Sequence, residues 1–262
     1  MDIVIPSRGR AHLGMSSLKA LTAAGLRTFL AVPMGELAAY ERYDSDLCPV
    51  VGCPSAGIAN TRQWIVDNVG SDDTVCMVDD DLTFFHRRSD DPTKLRDITP
   101  EELWAAFGQL ERTLSDSVPH AGFATREGAN RNTDALHWNT RILRVLAYHR
   151  PTLDKEGIAF GRMRVMEDFD VALRLLRTGR HNVILNNFAH NQPGSGTEGG
   201  CSTYRTMEVQ AEAAHQLAKL HPGFVRVVEK ETKTSWGGQK RTDVQISWKK
   251  ALAAGEAVHG HA

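Results

Sequence analysis

Short apolar runs alternate with stretches of helical periodicity through the first eighty residues of the chain. Asp2–Pro6 is an apolar run closed by proline, and it predicts a strand that passes into the loop Ser7-Arg8-Gly9-Arg10. Over residues 12–24, Leu13, Leu18 and Leu21 recur at near-helical spacing with small alanines between them, and Gly25 ends the run as a helix C-cap would. Thr28–Val32 predicts a second strand, stopped by Pro33. Residues 57–69 read as a helix, with Ile58, Ile65, Val66 and Val69 on one side. Thr74–Val78 is a third apolar run, and it leads directly into Asp79-Asp80-Asp81. Strand, helix, strand, helix, strand in this order predicts a parallel sheet with helices on its faces.

The pattern is less regular beyond residue 80. Residues 100–114 predict a helix with Glu101 and Glu102 in its first turn, 121–125 and 142–148 predict strands, and the polar residues 126–137 predict a loop. The clearest later helix is 167–178, where Phe169, Leu173 and Leu176 share a face, acids open the run, Arg174 and Arg177 close it, and Gly179 follows. A strand at 183–187, a glycine-rich loop at 192–200, a helix at 204–220 and a polar hairpin over 223–250, bent near Gly237-Gly238, complete the reading. The expected organisation is one α/β core over residues 1–222, with a mixed, mainly parallel sheet and a C-terminal helix, and a basic hairpin and tail over 223–262 packed on it.

Composition narrows the class. With 31 basic and 32 acidic residues the net charge is −1, so the chain as a whole is neither a polybasic nor an acidic binder. No run of 18 apolar residues predicts a membrane span. The N-terminus has an acid at residue 2 and neither a basic segment nor a long apolar one, so no secretory signal and a cytoplasmic location are expected. Four cysteines, Cys48, Cys53, Cys76 and Cys201, are too scattered for a disulfide framework, and Cys48 and Cys53 lack a second pair at zinc-site spacing.

Two acidic clusters carry the candidate chemistry. Asp79, Asp80 and Asp81 stand at the carboxyl edge of a predicted central strand, where open α/β sheets place their ligands. Adjacent carboxylates repel one another unless a cation neutralises them, and hard divalent ions take carboxylate oxygen; the plainer reading is a turn with a helix cap. Glu167-Asp168-Phe169-Asp170 opens a helix, where acids also serve the macrodipole, yet capping does not need all three. Ser7, Arg8, Arg10 and Arg62 suit phosphate binding, with ordinary surface arginine as the alternative. His190 follows a predicted strand and enters the glycine-rich loop. Residues 226–250 hold seven basic and three acidic residues with Trp236 and Trp248 interleaved, a local +4 that fits a nucleic-acid groove or a solvated edge hairpin with inward tryptophans. No Walker pattern, no G-x-G-x-x-G after the first strand and no serine elbow occurs.

Taken together, these positions resemble a GT-A glycosyltransferase. The landmarks are Ile3-Val4-Ile5-Pro6-Ser7-Arg8, a Gly-x-x-x-x-Arg helix from Gly57 to Arg62, the D-x-D of Asp79-Asp80-Asp81, and the Glu-Asp-x-Asp helix start at Glu167. Within that fold, Ile5-Pro6-Ser7-Arg8-Gly9-Arg10-Ala11, Met166-Glu167-Asp168 and the loop at 194–200 resemble the phage TET/JBP-associated glycosyltransferases, which act on hydroxymethylated pyrimidines in DNA.

The resemblance implies transfer of a sugar from a UDP-sugar to a hydroxyl, expected to be that of 5-hydroxymethylcytosine or another hydroxymethylpyrimidine in DNA, in the cytoplasm of an infected bacterial host. It implies a divalent metal, Mn or Mg, held by Asp81 and His190 with Asp79 assisting. A nucleotide-sugar site of Pro6, Ser7, Arg8, Arg10, Gly57, Arg62, Asp79 and Asp80 follows, with Asp168 or Glu167 as the base. Trp236, Lys240, Arg241, Lys249 and Lys250 are the candidate DNA contacts. Rival readings are a GT-A enzyme acting on a glycan, lipid-linked or protein acceptor, a nucleotidyltransferase, and a non-catalytic DNA-binding protein.

Overall fold

The computed structural model describes residues 1–54, 57–192, 206–231 and 240–259. It runs β1 (Asp2–Pro6), α1 (Ser16–Ala23), β2 (Thr28–Pro33), α2 (Leu37–Tyr40), β3 (Val50–Cys53), α3 (Ile58–Asn68) and β4 (Thr74–Val78). The hairpin of β5 (Thr83–Arg87) and β6 (Leu95–Asp97) follows, then α4 (Pro100–Thr113), β7 (His120–Thr125), β8 (Leu136–Trp138), β9 (Val145–His149) and α5 (Arg150–Lys155). Beyond these come α6 (Glu167–Leu176), β10 (Asn182–Asn191), α7 (Met207–Leu220), the hairpin of β11 (Val225–Glu231) and β12 (Lys240–Ile246), and α8 (Trp248–His259).

Strands β1 to β10 form one sheet in the order β3-β2-β1-β4-β9-β7-β10-β5-β6, with β8 beside β10. β1 pairs in parallel with β2 and β4, β2 with β3, and β7 with β10, while β9, β5 and β8 run against their neighbours. The sheet is mixed, with most strands pointing one way, which agrees with the GT-A class that the resemblance implied. From β1 the chain moves outward through β2 to β3, then returns to set β4 on the other side of β1. That reversal opens a crevice at the carboxyl ends of β1 and β4, the place where such sheets hold ligands.

Alternation of side chains along the central strands builds two cores. Ile3 and Ile5 join Leu18 and Leu21 of α1 and Leu103 and Phe107 of α4 on one face, whereas Val4 joins Ile65 and Val66 of α3 and Val171 and Leu175 of α6 on the other. Strands buried on both faces read as continuous apolar runs, which is why β1 and β4 stand out in the sequence. Each fully buried Leu or Ile contributes about 1.5–3 kcal/mol, so these two layers fix the sheet end from which the acids project.

The structure corrects several expectations. β3 and the β5–β6 hairpin were not expected, and the expected loop at 126–137 contains the start of β8, paired with Val183–Leu185. All three β8 residues are exposed, so alternation has no buried partner to reveal it. The β11–β12 hairpin pairs from Val225 with Ile246 to Glu231 with Lys240. Residues 248–250, expected within that hairpin, instead open α8, because Ala251 and Leu252 bury against Leu173, Leu176 and Leu217. The glycine-rich loop at 194–200, Cys201, Trp236 and Gly237-Gly238 lie outside the described residues.

Candidate active site

β4 delivers Asp79-Asp80-Asp81 to the mouth of the crevice, where the backbone is held from two sides. The Asp79 amide donates to Arg144 O at 3.0 Å. The buried Ser17, in the first turn of α1, donates its hydroxyl to Asp79 O at 2.5 Å and accepts from the Leu82 amide at 2.8 Å. One hydroxyl therefore closes the whole acid turn, and the turn cannot relax to spread its charges.

The three carboxylates diverge. Asp80 is buried and accepts from Ser7 Oγ at 2.6 Å and from Arg10 Nη1 at 2.5 Å. Because Ser7 spends its proton on Asp80, the Tyr40 hydroxyl 3.0 Å away donates to Ser7 and in turn accepts from the Arg10 amide at 3.0 Å. Through Oδ2, Asp81 accepts from Arg10 Nη1 at 3.1 Å and Gln192 Nε2 at 3.0 Å. Its Oδ1 is buried without a hydrogen-bond partner among the described residues.

Asp79 lies on the open side, its side chain 32% exposed and 4.0 Å from Arg62. Desolvation by the surrounding protein pushes its carboxyl up, Arg62 pulls back and Asp81 adds to the rise, leaving it at about 6. Asp80 also rises through burial, against the hydrogen bonds from Ser7 and Arg10.

The second acidic cluster has three separate fates. Glu167 is buried and accepts from Arg62 Nη1 at 2.5 Å. Asp170 is buried and accepts from His221 Nε2 at 2.8 Å, with Arg162 at 3.5 Å. Asp168 is half-buried, has no hydrogen bond among the described residues, and lies in the field of Arg62. Met166, immediately before the cluster, and Arg144, beside Asp79, both hold positive φ, at 65° and 62°. Left-handed backbone is strained for side chains of this size, and both instances border the acids.

His190 is fully buried near the end of β10, two residues before the Gln192 that reaches Asp81. Its Nε2 lies 3.0 Å from Leu143 O. A carbonyl only accepts, so Nε2 carries the proton and Nδ1 is a bare lone pair, buried without a partner among the described residues. Burial, then Arg144, holds the ring down at about 3, so it is neutral at ordinary pH. Among the described residues no three His, Cys, Asp or Glu side chains already stand at metal-holding distance. Asp81 Oδ1 is nonetheless the oxygen donor a hard cation takes, and neutral imidazole nitrogen such as His190 Nδ1 is a common metal ligand that gives its other N–H to a carbonyl as His190 does.

Over residues 1–200 the chain matches the TET-Associated Glycosyltransferase family. It belongs to that family, and it is a glycosyltransferase. No curated protein matches it in sequence. Among solved structures it is similar to S. aureus TarS 1-349, at 14% identity and TM-score 0.49, covering 83% of this chain and 66% of that one. It is similar to GalNAc-T7 with UDP, GalNAc and Mn2+, at 9% identity and TM-score 0.48, covering 83% of this chain and 48% of that one. A CMP:2-keto-3-deoxy-manno-octonic acid synthetase complexed with CTP resembles it at 16% identity and TM-score 0.41, over 69% of this chain and 87% of that one. The chain thus spans 66% of the length of the first of these and 48% of the second. The family match, and not these distant likenesses, decides the assignment.

In this TET-associated glycosyltransferase, Pro6 ends β1, Arg8 is exposed in the loop beyond it, and Gly57 caps α3 with φ +88°. Of the residues expected to hold phosphates, Arg10 is engaged by Asp80 and Asp81, and Arg62 by Glu167. Sequence reasoning missed Ser17, Tyr40, Arg144 and Gln192. Ser17 follows Ser16 at a helix start, a signal that was available; the other three act through tertiary contacts that leave no local pattern.

Among the described residues, two charges of the basic C-terminal segment are met by one nearby acid. Lys230 and Arg241 both reach Asp243, at 3.2 and 2.7 Å, and Lys250 donates to Gly223 O at 3.1 Å. Trp248 packs near Phe169, ring centroids 6.0 Å apart, while Lys240 and Lys249 are exposed. No helix among the described residues is long and apolar enough to cross a membrane.

Proposed function

We propose that this enzyme transfers a sugar from a UDP-sugar to the hydroxymethyl group of 5-hydroxymethylcytosine, or of another hydroxymethylpyrimidine, in DNA. The observation that carries the reading is the meeting at one sheet end of a clamped acid turn and a second acidic element, in a chain whose family is defined by association with TET enzymes.

A divalent cation, Mn or Mg, would be held by Asp81 Oδ1 and His190 Nδ1 with Asp79 alongside, and its chemistry is to neutralise the diphosphate as it leaves. The chain's own residues do the rest. Ser7, Arg10 and Gln192 hold Asp80 and Asp81 in fixed directions, so only Oδ1 of Asp81 is left to offer. The loop at Pro6–Arg8 and the Gly57 turn border the nucleotide, where exposed Arg8 supplies paired N–H donors to phosphate oxygen.

Asp168 is the base that accepts the proton of the attacking hydroxyl in an inverting transfer. Glu167 is buried against Arg62, and Asp170 is buried with one oxygen on His221 and the other closed off from solvent, which leaves Asp168 as the part-exposed carboxylate of its cluster that an acceptor hydroxyl can reach. A base in duplex DNA must leave the stack to reach such a crevice, so the acceptor is an unstacked or single-stranded nucleotide.

The test is incubation with a panel of UDP-sugars and Mn2+, offering hydroxymethylcytosine DNA and unmodified DNA side by side. Mass added to the hydroxymethylated DNA alone is expected. Sugar transferred to glycan but to neither DNA would overturn the acceptor.

A further inference from the structure

β5 carries positive charge away from the acid turn. Arg87, at its far end, is buried, yet among the described residues no carboxylate lies within ion-pairing distance of it. Its guanidinium donates instead to three carbonyl oxygens, those of Asn186 at 3.0 Å, Ala129 at 3.1 Å and Pro92. Three of its five N–H groups are used in this way. Carbonyl dipoles orient a guanidinium but leave its net charge uncompensated, and a buried charge without a counter-ion is costly.

Arg87 lines a cavity of about 340 Å³ together with His86, Arg88, Arg96, Thr133 and Asn187, and no carboxylate is among the lining side chains. Arg88 and Arg96 find their acids outside it, in Asp90 and Glu102. Beside the cavity, Asn186 binds Asp134 O and Ala135 O at 2.9 Å and so anchors the start of β8, whose Leu136, His137 and Trp138 are all exposed.

We propose that this cavity seats a backbone phosphate of the nucleic-acid acceptor, with Arg87 as its buried counter-ion and Trp138, paired with Val183 four residues away from Asn187 along β10, as a stacking platform for a base farther along the nucleic-acid strand. The proposal rests on the acceptor reading above and gives that acceptor a track. Thr83 opens β5 two residues after Asp81, and Arg87 lies four residues on, roughly 13 Å along a strand. At the ~3.4 Å rise of a stacked strand this is about four nucleotide steps. A strand whose target base enters the crevice is thereby gripped a few phosphates away, along the β5 edge rather than at the C-terminal hairpin. Carbonyl-fixed guanidinium suits one phosphate held bidentately, and an exposed indole stacks on any base, so the contact is sequence-tolerant.

The experiment measures binding of a fluorescent single-stranded oligonucleotide against salt for the full chain. Arg87→Met tests the buried counter-ion but can unfold the protein. The double variant Arg88→Gln, Arg96→Gln changes two exposed rims of the same cavity, and its thermal midpoint shows whether it is folded. The proposal expects roughly tenfold weaker binding, and a log–log salt slope flatter by up to about 0.7, the share of the one phosphate the cavity seats. Unchanged affinity and slope in a folded double variant, with the wild type binding well, overturn the cavity and leave the DNA acceptor standing. No binding of any oligonucleotide by the wild type overturns the acceptor reading, and the cavity proposal with it.

Discussion

The acid turn at Asp79–Asp81 and the basic segment from Arg226 to Lys250 are both dense clusters of like charge, and the fold treats them in opposite ways. The acid turn draws its counter-charges from far along the chain: Arg10 and Gln192 reach Asp81 across 71 and 111 residues, and Ser7 reaches Asp80 across 73. The basic segment answers part of its charge locally, with Asp243 taking Lys230 across the hairpin and Arg241 from its own strand. Long-range contacts are the entropically expensive kind, and they are spent on holding carboxylates in directions that mutual repulsion opposes. A local pair across a hairpin mainly keeps an edge strand soluble. What separates a site from a charged surface here is the sequence distance of the partners.

The largest effect that would sharpen this contrast lies within the second acidic cluster. Asp168→Asn keeps shape and removes proton affinity, so transfer should fall by roughly 10²–10⁴-fold, the usual loss of a general base, with the thermal midpoint unchanged. Glu167→Ala should behave differently. It strands the buried Arg62 and should cost about 3–5 kcal/mol of stability, seen as an earlier denaturant midpoint. Near-wild-type transfer by Asp168→Asn would remove it as the base.

A smaller effect follows from pH. Because the Asp79 carboxyl is pushed up to about 6, it takes a proton as pH falls through that value and its negative charge is lost. Metal-dependent UDP binding should therefore weaken up to tenfold per pH unit below 6 and be flat above about 7. His190 sits near 3 and does not titrate in that window. Titration calorimetry at pH 5, 6 and 7 checks this; Asp79→Asn should remove the limb. A limb that survives the substitution belongs to another group.

How much of this was legible depended on where the cause lay. β1, β2, β4, α1 and α3 are buried on one or two faces, and their apolar periodicity shows in the sequence. β8 and β6 are short and exposed, so nothing periodic marks them. The acids and Arg62 were visible as motifs, but that Arg62 serves Glu167 is a tertiary fact. Tyr40 and Gln192 were hidden for the same reason: a hydroxyl or amide gains its role only when the fold brings its partner to it. Trp248 and Lys250 misled because a basic, aromatic stretch looks alike on a strand and on a helix, and burial of Ala251 and Leu252 decides between them.

The smallest expected effect concerns the basic C-terminal segment. Of its candidate DNA contacts, Arg241 is engaged by Asp243 and Lys250 by Gly223 O, which leaves Lys240 and Lys249 exposed. Lys240→Gln with Lys249→Gln should leave oligonucleotide binding within about twofold, and the salt slope should change by less than the ~0.7 of one full single-strand contact. A drop as large as that expected for the Arg88 and Arg96 pair would return the nucleic-acid surface to the hairpin.

The central claim is that the clamped acid turn is where a metal and the nucleotide of the donor meet. Calorimetric titration of UDP into the wild type and Asp81→Ala, each with and without Mn2+, tests it most directly. Asp81 projects from a strand end, so the variant should fold normally. The account predicts tight UDP binding by the wild type only with Mn2+, and loss of that metal-dependent increment in Asp81→Ala. Equally tight binding by the wild type with and without Mn2+ would contradict it.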